Sequence, residues 1–321
     1  MSSPDKQTFG FGTVVKWPQI SQASAYCKTA LETFSSFTPE RIFKATLIHP
    51  GENTYNWKDA EAFVAFCEKH QKKIHGHTLI WDRDLPEWIS DSAPKDPRLA
   101  GEHSRSVVAR FKNRIQAWDV VNEAFSAEGA LRQGTWWRIA GDSYIEDAFR
   151  AAHEADPEAL LFYNDFDLEV NSVKRQSVIR YLSDLRKKGV RVDGIGLQLH
   201  LQLHNSDPDR LSEALRDVAN AGFIIHLSEL DISVLPAPGE FPGKNVLLQM
   251  QADLYSKVFE AFLAVEPRLR YGITLWGVGD ADSWLVTELN KVDYPLLFDE
   301  NYAPKPAYSA VRGYIAKSAC L

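Results

Sequence analysis

Cysteine is scarce in this chain of 321 residues, with three in all. Cys27, Cys67 and Cys320 lie far apart with no Cys-x-x-Cys pair, which argues against a disulfide framework and against a structural zinc site. Cys27 and Cys67 fall in helical patterns and read as buried thiols. Runs of Lys and Arg are missing, and the net charge is −7, so nucleic acid and anionic membrane are poor partners. No apolar run reaches membrane-spanning length. The opening MSSPDKQTFG lacks the apolar core of a signal peptide. That start fits a cytoplasmic protein or a secreted one whose leader has been removed. No low-complexity linker or composition break interrupts the chain, so a single domain over 1–321 is expected.

What the sequence has in quantity is alternation. Short apolar runs are read as strands at Phe9–Val15, Arg41–Leu47, Lys73–Ile80, Ala117–Val121, Leu160–Asn164, Gly194–His200, Phe223–Glu229 and Gly272–Trp276. Between them lie amphipathic stretches such as WKDAEAFVAFCEKHQKK, DSYIEDAFRAAHEA and VKRQSVIRYLSDLRKKG. In the last, Val178, Tyr181, Leu182 and Leu185 keep helical spacing, and Asp207-Pro208 reads as a capped helix start. Near-continuously apolar strands suit a parallel sheet buried on both faces, and eight strand–helix units closed on themselves make an α/β TIM barrel. An open doubly wound sheet is the alternative. It is weakened by the lack of a Gly-rich phosphate loop after the first strand.

In such a barrel the C-terminal strand ends gather on one face. Here they are polar or aromatic: Lys44, His77 with Trp81, Asn122 with Glu123, Asn164 with Asp165, Gln198 with His200, Glu229 with Asp231, and Trp276. One strand-end acid alone is usually a cap or an ion pair. Two glutamates on opposite strands are what glycosidic cleavage needs, one to protonate the leaving oxygen and one to attack or to activate water. Some of the nine tryptophans would give flat platforms for sugar rings. No metal or cofactor is called for. The pair His75 and His77 keeps a metal-dependent hydrolase as a rival reading, and a sugar-binding protein without activity is a third.

The motifs GHTLIW (Gly76–Trp81), LPEW (Leu85–Trp88), WDVVNEAF (Trp118–Phe125), YNDFDLE (Tyr163–Glu169) and GIGLQLHL (Gly194–Leu201) follow in order. SELDI (Ser228–Ile232), WGVGDADSW (Trp276–Trp284), PLLFD (Pro295–Asp299) and PKPAY (Pro304–Tyr308) continue the series. Together, over roughly residues 9 to 316, the chain resembles the glycoside hydrolase family 10 β-xylanases. The resemblance implies a retaining enzyme with Glu123 as acid/base, Glu229 as nucleophile, and His200 and Asp231 supporting the nucleophile. It further implies that Glu40, Lys44, His77, Trp81, Asn122, Gln198, Trp276 and Trp284 contact a β-linked carbohydrate.

The match departs from the family pattern at TPERIFKA (Thr38–Ala45) and at Trp81-Asp82, where members usually read TPENxMKW and WH. Arg41, Ala45 and Asp82 thus replace Asn, Trp and His on the side of the cleaved sugar, and Phe166 stands where tyrosine is common. Two readings follow. Arg41 and Asp82 neutralise each other in an ordinary xylanase, or they enter the sugar site and select another glycone, such as a uronate held by Arg41 or a plant saponin. On the second reading, activity on plain linear xylan would be weak.

Overall fold

The computed structural model describes residues 10–318, apart from 92, 94, 238, 240 and 241. Phe9 and Cys320, and nearly all of the polar opening, lie outside the described residues. The strands are β1 (Gly10–Val15), β2 (Ser36–Pro39), β3 (Lys73–Gly76), β4 (Ala117–Asn122), β5 (Leu160–Asp165), β6 (Gly194–Leu197), β7 (His200–Gln202), β8 (Ile224–Ser233) and β9 (Arg270–Leu275). All pairings among them are parallel. The order runs β6-β5-β4-β3-β2-β1-β9-β8-β7, and the sheet closes because β6, at one end, also pairs with β8. The fold is therefore an eight-stranded (β/α)8 barrel, with β7 a short extra strand on β8.

Helices cover the outside wherever the apolar residues recur at helical spacing. In Lys58–Lys69 the buried positions are Ala60, Phe63, Val64 and Cys67, one stripe at intervals of three and four. In Ser172–Lys187, Val178, Leu182 and Leu185 are buried while Tyr181 packs at the edge of the core. Asp207 caps the helix Pro208–Asn220 by accepting from the Asp209 N–H, with the proline in the first turn. Cys67 is buried and burial pushes its thiol up, whereas Cys27, read as buried, is partly exposed. No helix among the described residues is long and apolar enough to cross a membrane.

Four strand expectations need correction, the first being Lys73–Ile80, which leaves strand geometry after Gly76 and returns only as an isolated bridge from Ile80 to Val121. Arg41–Leu47 is not a strand: β2 ends at Pro39, and Ala45–Ile48 is a short helix. Within the short helix Ala45 and Ile48 are buried, three positions apart, while Leu47 faces out, as on one face of a helical turn. The run Gly194–His200 breaks into β6 and β7, with Leu199 between them in the left-handed region at φ 61°. The run starting at Phe223 continues past Glu229 to Ser233, because β7 pairs with that extension at His200–Asp231.

Two glycines bring the strands close enough for the interior to fill. A Cβ on Gly76 would sit 2.2 Å from the Trp118 indole. One on Gly196 would sit 2.2 Å from the Asn164 amide oxygen, so Gly196 leaves the space in which Asn164 crosses the barrel mouth.

Candidate active site

A cleft of about 400 Å³ opens at the C-terminal ends of the strands. Of the residues singled out in the sequence, Glu40, Lys44, His77, Trp81, Asn122, Glu123, Gln198, His200, Glu229, Trp276 and Trp284 line it. Asp231 stands just behind His200. Arg41 and Asp82 are not on the lining. The Arg41 guanidinium is more than half exposed and pairs with Asp84 at 3.2 Å, not with Asp82. Asp82 turns away to accept the Trp136 backbone N–H at 3.1 Å and packs against Gly134, where a Cβ would strike its carboxyl. The expected Arg41–Asp82 pair is thereby corrected. Ala45 is buried beneath the rim.

Glu229 sits inside β8 with each carboxylate oxygen engaged. Oε1 accepts from Asn164 Nδ2 at 2.7 Å and Oε2 lies 3.2 Å from His200 Nε2. The other His200 nitrogen is 3.1 Å from Asp231 Oδ2, which also accepts from the Trp284 indole at 2.9 Å. Burial alone would lower the His200 pKa, but the charge and hydrogen bond of Asp231, followed by those of Glu229, outweigh it and raise it well above the usual value. Protonated, the ring donates to both acids at once. Burial likewise lowers the Lys44 pKa, opposed by the charge of Glu229, and its ammonium lies 4.6 Å from the centre of the Trp81 ring.

Glu123 follows β4 directly and adopts φ 57°, the left-handed region that a residue with a Cβ seldom enters. Its carboxyl is mostly buried and accepts from Gln198 Nε2 at 3.1 Å. Asn122 lies between the two acids. With its oxygen toward Asn164 it accepts from that Nδ2 at 2.9 Å; turned over, its oxygen would accept from the Trp81 indole at 3.3 Å. The first orientation is preferred, since the second sets two amide NH2 groups face to face. Gln198, Asn122 and Asn164 thus form an amide bridge from one glutamate to the other.

His75 and His77 both turn to Asp119. His77 Nδ1 is 2.9 Å from Oδ2, and His75 Nε2 is 3.0 Å from Oδ1, close enough for charge attraction though not aligned as a hydrogen bond. Burial pushes Asp119 up, but the two imidazoles hold its carboxyl well below the usual range. Among the described residues no group of three or more His, Cys, Asp or Glu side chains is placed to hold a metal ion.

Arg83, Asp167 and Glu288 also line the cleft, and no sequence motif assigns them a role. Arg83 Nε lies 3.9 Å from Glu123 Oε2. Asp82 folds back to Trp136 and so passes the rim position to its neighbour, a detail no local motif announces.

A barrel with two glutamates joined by amides in an aromatic cleft defines a glycoside hydrolase. A family model described as Glycosyl hydrolase family 10 matches residues 3–314. The chain belongs to that family. It is 36% identical to "Endo-1,4-beta-xylanase B" of Thermotoga neapolitana over 94% of this chain and 87% of the relative. It is 39% identical to "Beta-1,4-xylanase" of Dictyoglomus thermophilum over 86% and 80%. Among solved structures it is similar to xylanase 10B from Thermotoga petrophila RKU-1 in complex with xylobiose. There the TM-score is 0.90 and the identity 35%, covering 97% of this chain and 95% of that one.

Proposed function

We propose that the protein is a retaining endo-β-1,4-xylanase that cuts xylan by double displacement in one catalytic domain. The observation that carries this reading is the amide-bridged pair, Glu229 held by Asn164 and His200 and Glu123 held by Gln198. In the first step the Glu229 carboxylate attacks the anomeric carbon while Glu123 gives its proton to the departing glycosidic oxygen. In the second, Glu123 takes a proton from water as that water attacks the same carbon and Glu229 leaves. Donation from His200 and Asn164 keeps the Glu229 carboxyl aimed. Trp276, Trp284 and Trp81 supply flat walls for the sugar rings, and Asn122, Lys44, His77 and Glu40 read hydroxyls. The names of the relatives support xylan over another glycone, and the reasons for expecting a different one weaken with Arg41 and Asp82 off the lining.

Proton NMR of the first turnovers tests the mechanism. A retaining enzyme releases the β-anomer of the new reducing end before mutarotation, with carboxyl groups about 5–5.5 Å apart. Initial release of the α-anomer would overturn it.

A further inference from the structure

We propose that the phenol of Tyr163 is a positioning residue for the acid/base, a role that rests on the assignment of Glu123 above. The left-handed turn at Glu123 is held by two backbone hydrogen bonds, one on each side of its Cα. Glu123 N–H donates to the Asn164 carbonyl at 2.9 Å, and Ala124 N–H donates to the Tyr163 phenol oxygen at 3.0 Å. The first is an ordinary contact between neighbouring strands. The second comes from a side chain, and Tyr163 is fully buried, so no water can take its place.

The phenol is itself held in one direction. Its proton goes to Asp165 Oδ2 at 2.5 Å, leaving the oxygen lone pair for Ala124. The other Asp165 oxygen accepts from Lys174 Nζ at 2.6 Å and from the Phe166 N–H at 2.9 Å. Lys174 also donates to the Phe166 carbonyl and lies 3.8 Å from the centre of the Phe166 ring, which lines the cleft. A chain of contacts therefore runs from a buried ion pair through one phenol to the peptide that follows Glu123. Without the phenol oxygen, the Ala124 N–H is buried and unmet, and Ala124 keeps only the hold of the Arg132 N–H on its carbonyl at 2.8 Å. The Gln198 contact still binds the Glu123 carboxyl, so the residue stays in the cleft but off line for proton transfer. Binding tolerates such a displacement; a positioned proton transfer does not, and misplacement by about 1 Å costs on the order of a hundredfold.

The test compares Tyr163→Phe with Glu123→Ala and the unmodified enzyme on two substrates. One is xylotetraose, whose leaving sugar needs a proton. The other is 2,4-dinitrophenyl β-xylobioside, whose leaving group does not. For Tyr163→Phe, kcat/KM on xylotetraose should fall by ~10–100-fold, a partial loss of the ~10²–10⁴-fold a general acid supplies. On the activated substrate kcat/KM should stay within about twofold, while kcat falls with KM because the second step lacks its base. Azide, which attacks the glycosyl-enzyme without needing a base, should restore kcat in Glu123→Ala, where the carboxylate that would repel it is gone. Equal loss on both substrates, or no loss on either, overturns the proposal, since a merely structural phenol would not discriminate by leaving group. If Glu123→Ala itself fails to discriminate, the acid/base assignment is at fault. If it discriminates and Tyr163→Phe does not, the positioning role alone is wrong. Circular dichroism establishes folding at the assay temperature. Should Tyr163→Phe not fold, Asp165→Asn, which keeps an acceptor but weakens the hold on the phenol, should give the same selective loss at smaller size. Absence of selectivity there overturns the proposal as well.

Discussion

Glu169 ends the run that begins at Tyr163, and its carboxyl has almost no access to water. One of its oxygens has no hydrogen-bond partner among the described residues. Burial above all, with the charge of Asp167 adding to it, pushes its pKa from 4.5 up to about 7. The unfolded chain releases this proton near pH 4.5 while the folded protein keeps it to about 7. The stabilisation from the neutral form is thus complete below 4.5 and lost as pH rises through that window. Glu169→Gln should remove the slope, raising the unfolding free energy at pH 8 by a few kcal/mol and changing it little at pH 4, by the usual conversion of a pKa shift. Urea unfolding at the two pH values checks this; an unchanged pH slope would refute it. Arg41 supplies a contrasting case. It lies on the outer rim in a solvent-exposed pair with Asp84, so Arg41→Ala should leave xylan cleavage within about twofold, as for surface positions generally. A drop of tenfold or more in kcat/KM on linear xylan would return Arg41 to the sugar site.

The elements were legible where period and cap agreed. Lys58–Lys69 and Ser172–Lys187 follow their apolar stripes, and Asp207 starts its helix as a short polar residue before proline should. That cap can be weighed: Asp207→Ala should cost ~0.5–2 kcal/mol, seen as a lower unfolding midpoint with kcat on xylan unchanged. A midpoint equal to that of the parent would show the cap idle. Legibility failed where an apolar run was short. Ile42, Phe43, Ala45 and Leu47 suit a strand or a turn of helix, and only the pairing of Ser36–Pro39 with β1 and β3 decides it. The same limit hid β7, whose strand character exists only because β8 extends past Glu229 to meet it.

At the scale of the whole molecule, alternation pointed to eight units and to polar strand ends at one mouth, although the second strand lies at Ser36–Pro39 and not at Arg41–Leu47. The acids Glu123 and Glu229, with His200 and Asp231, were found from residue type and motif order. What sequence could not yield was direction. Asp82 and Arg83 are neighbours, yet one turns to Trp136 and the other to the cleft beside Glu123, a choice made by residues far along the chain. The closure of the ring has a further consequence for how the protein is born. Gly10 pairs with Gly272, so β1 leaves the ribosome long before β9, the neighbour it needs. At ~5–20 residues per second, that neighbour arrives roughly 15–50 s later. Throughout that interval the nascent chain carries an open strand edge, which can pair with the wrong partner. Slow synthesis or a crowded polysome should therefore harm the yield of this protein more than a point change on its surface would.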